Sequence, residues 1–273
     1  IAIGKNALTA MTTGGAAAPG NISIGLNSSQ ELTTGGHNTV LGYAAMAQHE
    51  TGLRNIAIGS VAMAGTQAGG DQNTSSDSDD NVFIGYASGG GNWANAKSEF
   101  NTAIGNYTMD AVLNGANYNT AVGYDAGTDL TEGDSCTLIG SSAGANITTA
   151  DKNVCIGESS GFNNATSDNN TYVGASAGQG ASGQSNTHNT AVGKNALLSV
   201  TDGGYNTVMG VAAGDAITTG DYNIIMGYNS GSISTDVDKT VIIGVDAGNG
   251  ALDSDADGTI LIGFAAGAAL TNG

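Results

Sequence analysis

Proline occurs once in 273 residues, and only 11% of the residues are charged. Six Lys and Arg stand against 24 Asp and Glu, a formal charge of −18. This shortage of basic side chains argues against a nucleic-acid partner, because phosphate binding needs clustered Lys and Arg. It disfavours an anionic membrane surface for the same reason. No run of about 18 apolar residues is present, so no segment reads as a bilayer-crossing helix and no membrane insertion is expected. Large apolar residues are also scarce: Ile, Leu, Val and Phe total 50 of 273. With so acidic a balance, that composition alone would point toward disorder. The chain opens on neither an initiator Met nor a signal peptide. Its first residues already lie inside a copy of the repeat described next, so a piece of a longer chain is expected.

What the chain does have is 45 Gly and a motif written many times over. "NTVLGYAAM" begins at 38, "NTAVGYDAG" at 119, "NTAVGKNAL" at 189 and "NTVMGVAAG" at 206. Self-similarity at a short period signals a repeat architecture. Aligned on the Gly that follows an aliphatic residue, fifteen copies fall at 4, 25, 42, 59, 85, 105, 123, 140, 157, 174, 193, 210, 227, 244 and 263. Eight of the fourteen spacings equal 17 and none is shorter, so the unit is 17 residues with insertions. Positions below are counted from this anchor glycine.

Position −1 is Ile, Val, Leu or Met in every copy, and position −3 is Thr, Ile or Val. β-Branched residues favour extended backbone, and a separation of two puts both positions on one face of a strand. The anchor suits a corner or a close backbone approach. Position +3 is always Ala, Ser or Thr. Asn stands at −4 in eleven of fourteen copies, among them Asn38, Asn55, Asn101, Asn119, Asn153, Asn170, Asn189, Asn206 and Asn223. Stacked copies would bring these amides within hydrogen-bonding range as a structural ladder; alternatively, Asn only opens each strand from a turn.

A 17-residue unit is too short for helical-hairpin arrays or propeller blades. The chain is therefore read as all-β: one repetitive parallel β-roll or β-solenoid over 1–273, with about fifteen coils. Loop insertions fall near 12–20, 64–80 and 90–100. Positions −3 and −1 are expected to point into the coil, joined in some copies by Leu130, Ile147 or Ile217. Position −2, on the opposite strand face, is apolar or aromatic in fourteen of fifteen copies, including Val40, Leu138, Ile225 and Leu261. A strand apolar on both faces is buried on both. The second face is thus expected to meet other copies of the chain, as in a homotrimer about a fibre axis; the alternative is a wider monomeric coil that covers both faces.

"NIAIGSVAMA" (55–64), "NTAIGNYTM" (101–109) and "NTAVGKNAL" (189–197) resemble the head repeats of YadA-type trimeric autotransporter adhesins. "NTAVGYDAGTDLTEG" and "AAGDAITTG" are similar to repeat arrays of phage tail fibre proteins. The resemblance covers the whole chain and implies a trimeric left-handed parallel β-roll with a role in attachment. The unit here is longer than that of the adhesin head, and no membrane anchor or coiled-coil stalk falls within this stretch.

Signals for chemistry are sparse. Cys136 and Cys155 sit in different columns of adjacent copies, about 8 Å apart by strand geometry, so two thiols rather than a disulfide are expected. His37, His49 and His188 belong to different columns and are expected in solvated loops. "GESSG" (157–161) matches a nucleophile-elbow pattern but is an ordinary repeat copy with no following helix. Asp253, Asp255 and Asp257 with Gly258 match the opening of a calcium loop that lacks its closing Glu. Calcium is the one cofactor this pattern suggests, and a solvated acidic turn is the alternative reading. In the 90–100 insertion, Trp93, Lys97 and Phe100 are candidates for receptor contact, as an exposed aromatic tip beside polar residues; alternatively, Trp93 folds back to cap an apolar patch. Asn27, Asn146 and Asn164 lie in Asn-x-Ser/Thr triplets that a glycan could use.

These features suggest an extracellular structural segment and display scaffold of a trimeric phage tail fibre, with a host-surface glycan or protein as receptor. The alternative is the head of a bacterial trimeric adhesin. Ice binding through stacked Thr is disfavoured because Ile and Val interrupt that column at 22, 56, 82, 154, 224, 241 and 260. No enzymatic activity is expected; a depolymerising tailspike would need a substrate cleft for which a coil this small has little room.

Overall fold

The computed structural model describes residues 1–11, 20–65, 77–94, 96–181, 185–250, 252 and 254–270. Among these, fifteen strands run from β1 (Ala2–Ile3) to β15 (Ile260–Ile262) as one all-parallel sheet in chain order, a β-solenoid. Equivalent positions pair throughout; Thr171, Tyr172 and Val173 lie opposite Thr190, Ala191 and Val192. Internal contacts divide the chain into two compact units, Ile1–Cys136 and Thr137–Gly273. Most of the insertion residues, 12–19, 66–76 and 95, lie outside the described residues.

The repeat's columns now have physical causes. Gly193 at an anchor has φ 137°, and a Cβ there would lie 2.4 Å from the carbonyl oxygen of Gly210, the next anchor. Gly42 in the N-terminal unit stands in the same relation to Gly59, at 2.2 Å. Neither the dihedral nor the gap admits a side chain. At position −5 the chain turns a corner in left-handed backbone: Arg54, Tyr118, Lys152, Tyr205 and Tyr222 all have φ between 57° and 60°. No β-branched residue takes that place, in keeping with its steric cost there.

The Asn column is a ladder, though not one of amides bonded only to each other. Each Oδ1 accepts the backbone N–H of the next coil's residue, as from Asn38 to Asn21 (2.9 Å) and from Asn223 to Asn206 (3.0 Å). Each Nδ2 reaches across the coil to a carbonyl on the far wall: Asn38 to Gly52, Asn119 to Gly133, Asn189 to Gly203 and Asn206 to Gly220, all at 2.8 Å. One side chain thus ties a coil to its neighbour and closes its own coil. Asn55, Asn101, Asn153 and Asn170 bridge in the same way.

Because Asn at −4 spans the interior, position −2 shares its strand face and is interior too. This reverses the expected orientation. Val40, Leu138 and Ile225 are buried inside their own coil and Leu261 nearly so, whereas Leu41, Ile139, Met209 and Ile262 at −1 are exposed. At −3, Ile22, Ile224 and Ile260 are likewise exposed. Leu130, Ile147 and Ile217 are buried as expected.

Interior volume is shared between positions −2 and +4. Where −2 is large, +4 is glycine: Phe83 with Gly89, Leu138 with Gly144, and Tyr172 with Gly178. A Cβ on those glycines would come within 2.5, 2.7 and 2.4 Å of the partner side chain. Where −2 is alanine, +4 carries a long side chain: Ala57 with Met63, Ala103 with Met109, and Ala191 with Leu197, all buried. Close packing at near-constant volume explains the exchange. Val40 with Met46 and Ala121 with Gly127 depart from it.

Candidate interaction surface

With −2 and −4 inside, the outward face of the sheet carries positions −3 and −1, bordered by −5 on one edge and +1 on the other. Positions −3 and −1 hold no charged residue in any of the fifteen coils. Five of the six basic residues of the chain lie at the two borders: Arg54, Lys152 and Lys239 at −5, Lys5 and Lys194 at +1. Only Asp80 and Glu158 of the 24 acidic residues share those columns. The remaining acids fall elsewhere on each coil, notably at −6. There Asp221, Asp238 and Asp257 follow one another, and the N–H groups of Gly204, Asp221 and Asp238 each donate to the Asp Oδ1 one coil on.

Aromatic side chains crowd the same borders. In the C-terminal unit His188, Tyr205 and Tyr222 at −5 stack face to face, with centroids 4.7 and 4.8 Å apart and planes within 7°. In the N-terminal unit Phe100 stacks on Tyr118 at 5.0 Å. Coil spacing sets these distances: identical columns recur at the inter-strand repeat, which falls within the centroid separation of offset-stacked rings. At +1, Tyr43, Tyr86, Tyr124 and Tyr228 are exposed. Spacing revealed the columns, but not that they flank an outward face.

The residues singled out from sequence do not converge. Trp93, a contact candidate whose alternative was to fold back over an apolar patch, is fully buried. Its indole N–H donates to the Gly89 carbonyl (2.9 Å), and its ring meets His49 and Phe83 edge-on, at 5.1 and 5.5 Å. A large apolar ring with a polar handle gains more from that interior site than from water. His49 is accordingly interior rather than in a solvated loop, unlike His37 and His188, which are exposed. Lys97 stays at the surface, 3.8 Å from Glu99, and Phe100 belongs to the aromatic border.

Of the calcium candidates, Asp253 lies outside the described residues. Asp255 sits in a short 3-10 turn (Ser254–Ala256), and Asp257 accepts the Asp238 N–H at 2.8 Å. Among the described residues no three His, Cys, Asp or Glu side chains are gathered as a metal-binding group. Cys136 and Cys155 are buried thiols with no disulfide between them. Asn27, Asn146 and Asn164 all lie in inter-coil or cross-coil contacts; Asn146 donates to Asn163 at 2.8 Å and Asn164 to the Gly178 carbonyl at 3.2 Å.

Burial raises several titratable groups, Asp110 and Tyr172 the most. Burial raises the Asp110 carboxyl to about 6, the Gly90 N–H opposes the shift, and Asp125 adds to it. Burial also pushes the Tyr172 phenol up; its hydroxyl donates to Asn186 Oδ1 at 2.6 Å inside the C-terminal unit.

Comparison with protein-family models, with curated proteins and with solved structures finds no match to this chain.

Proposed function

We propose that this chain is a structural segment of an extracellular attachment fibre, of the phage tail fibre kind, in which three copies associate through their outward sheet faces. It acts as spacer and display scaffold, with host recognition carried by inserted loops and by neighbouring parts of the fibre. One observation supports this above others: the outward face carries Ile, Leu, Val or Met at −1 in every coil, and only the −2 face is covered by the chain itself. Leu41 and Met209 are each 46% exposed. A contiguous apolar patch of this kind marks an association surface. Repetition suits the role, because each coil makes its contacts with adjacent coils and length is gained by adding copies.

Native mass spectrometry of the soluble chain tests the reading. Particles of three times 26.7 kDa are expected. A chain that stays monomeric at high micromolar concentration would remove it.

A further inference from the structure

We infer that Tyr86, Tyr107 and Tyr124, with Asp110 and Asp125 beside them, form a site for an organic ammonium cation of the trimethylammonium class. The site lies within the Ile1–Cys136 unit of one chain, so it goes beyond the association proposed above and does not depend on it.

Three consecutive coils build it. Tyr86 and Tyr124 stand at +1 of the first and third, and Asn106 holds that place in the second. The second coil carries its tyrosine one residue further on. There Tyr107 takes left-handed backbone, with φ 57°, and its N–H donates to the Tyr86 carbonyl at 2.9 Å. This offset breaks the face-to-face stacking seen at −5. Tyr107 instead meets Tyr86 at 5.3 Å and 76°, and Tyr124 at 5.9 Å and 83°. The planes alternate, and all three rings keep surface open to solvent, even Tyr107 at 37%. A cation about 4 Å above the midpoint of two neighbouring rings lies about 5 Å from both centres, inside the roughly 6 Å reach of a cation–π contact.

Charge selects the ligand. Burial raises the Tyr107 phenol, and the Tyr86 and Tyr124 phenols and the Asp110 and Asp125 carboxylates raise it further; no cationic side chain opposes them. Asp110 is half-buried and is itself raised by burial, with only the Gly90 N–H acting the other way. Basic side chains of this unit are engaged elsewhere: Arg54 with Asp80 at 2.6 Å, and Lys97 with Glu99 at 3.8 Å. The patch thus joins aromatic rings to negative charge and lacks a positive side chain of its own. A quaternary ammonium suits it, because its charge is spread over methyl groups that lie well against aromatic rings. Apolar ground for the rest of the ligand adjoins. Gly90, on which a Cβ would lie 2.9 Å from Asp110 Oδ1, also lines a cleft of about 350 Å³ with Val61 and Ala64. The formal charge of −18 draws cations toward the chain.

Ligand-observed NMR on the full chain in its native assembly tests this, with choline chloride as the probe and sodium chloride holding ionic strength constant. Choline should bind in the millimolar range, at least about tenfold more tightly than its neutral isostere, in which a tert-butyl group replaces the trimethylammonium. Tyr107→Leu should weaken choline binding about fivefold and Tyr107→Phe by less than about twofold, because the ring acts and the hydroxyl does not. Asp110→Asn should weaken it about threefold. Circular dichroism should be unchanged in each; where Tyr107→Leu alters the fold, Tyr86→Leu should show a similar loss. Equal binding of choline and its isostere overturns charge recognition, and no choline binding below about 50 mM overturns the site. A preference for choline that survives both leucine variants overturns its placement. Native mass is read separately, so each of these failures leaves self-association standing.

Discussion

Two neighbouring coils of the C-terminal unit solve one packing problem in opposite ways. The coil of β10 (Thr171–Val173) fills its interior with Tyr172 and leaves Gly178 bare, whereas the coil of β11 (Thr190–Val192) places Ala191 there and fills the space with Leu197. Gly178 and Leu197 share the same left-handed backbone, with φ of 54° and 53°. The wall is therefore constant and only the source of the filling changes. What the repeat preserves is interior volume and backbone path, not residue identity. A glycine at +4 reads as a space left for its partner at −2.

That comparison can be broken at several levels. The largest effect is expected at the wall common to both coils. Gly174→Ala and Gly193→Ala each drive a Cβ to about 2.5 Å or less from the next anchor's carbonyl oxygen. Both should cost more than about 4 kcal/mol, seen as loss of cooperative thermal unfolding for either coil type. Next, Tyr172→Ala should cost about 3–5 kcal/mol in urea unfolding, by cavity formation and by stranding Asn186. Tyr172→Ala with Gly178→Leu should then recover most of that loss, although Gly178→Leu alone, 2.4 Å from the phenol ring, destabilises. Additive losses in this cycle would refute volume exchange.

Asn206→Ala tests the tie between coils. It leaves the Asn223 N–H and the Gly220 carbonyl without their bonds and should cost about 2–3 kcal/mol by the same measurement. The smallest effect is expected at Asp110, which follows Met109, the side chain that fills the coil above Ala103. Its folded pKa is raised to about 6, so the protonated form is favoured on folding. The contribution of this group to stability is full below the ordinary Asp range and is lost as pH rises through 6. Asp110→Asn should flatten the melting temperature between pH 4 and 7 and raise it slightly at pH 8.

Much of this was legible in the repeat itself. The period, the parallel stacking and the need for glycine at the anchor all follow from columns that never vary. The absence of a disulfide between Cys136 and Cys155 follows from strand spacing. The partners of Trp93 were not legible, because its ring meets His49 and Phe83 only once the coils stack. The reciprocity of −2 and +4 was visible across the fifteen copies, in pairs such as Phe83 with Gly89 and Ala57 with Met63. It becomes meaningful only once six residues around a corner are known to face each other.

Alternation along three strand residues, as in Thr207, Val208 and Met209, determined by itself that two faces exist and which residues share each. It could not say which face is inside, because a period of two is symmetric under exchange of the faces. Tertiary structure decided that through contacts across the coil: Asn206 reaching the Gly220 carbonyl fixes its own side as interior, and Val208 with it. The aliphatic residues that looked like core were thereby placed on the outward face.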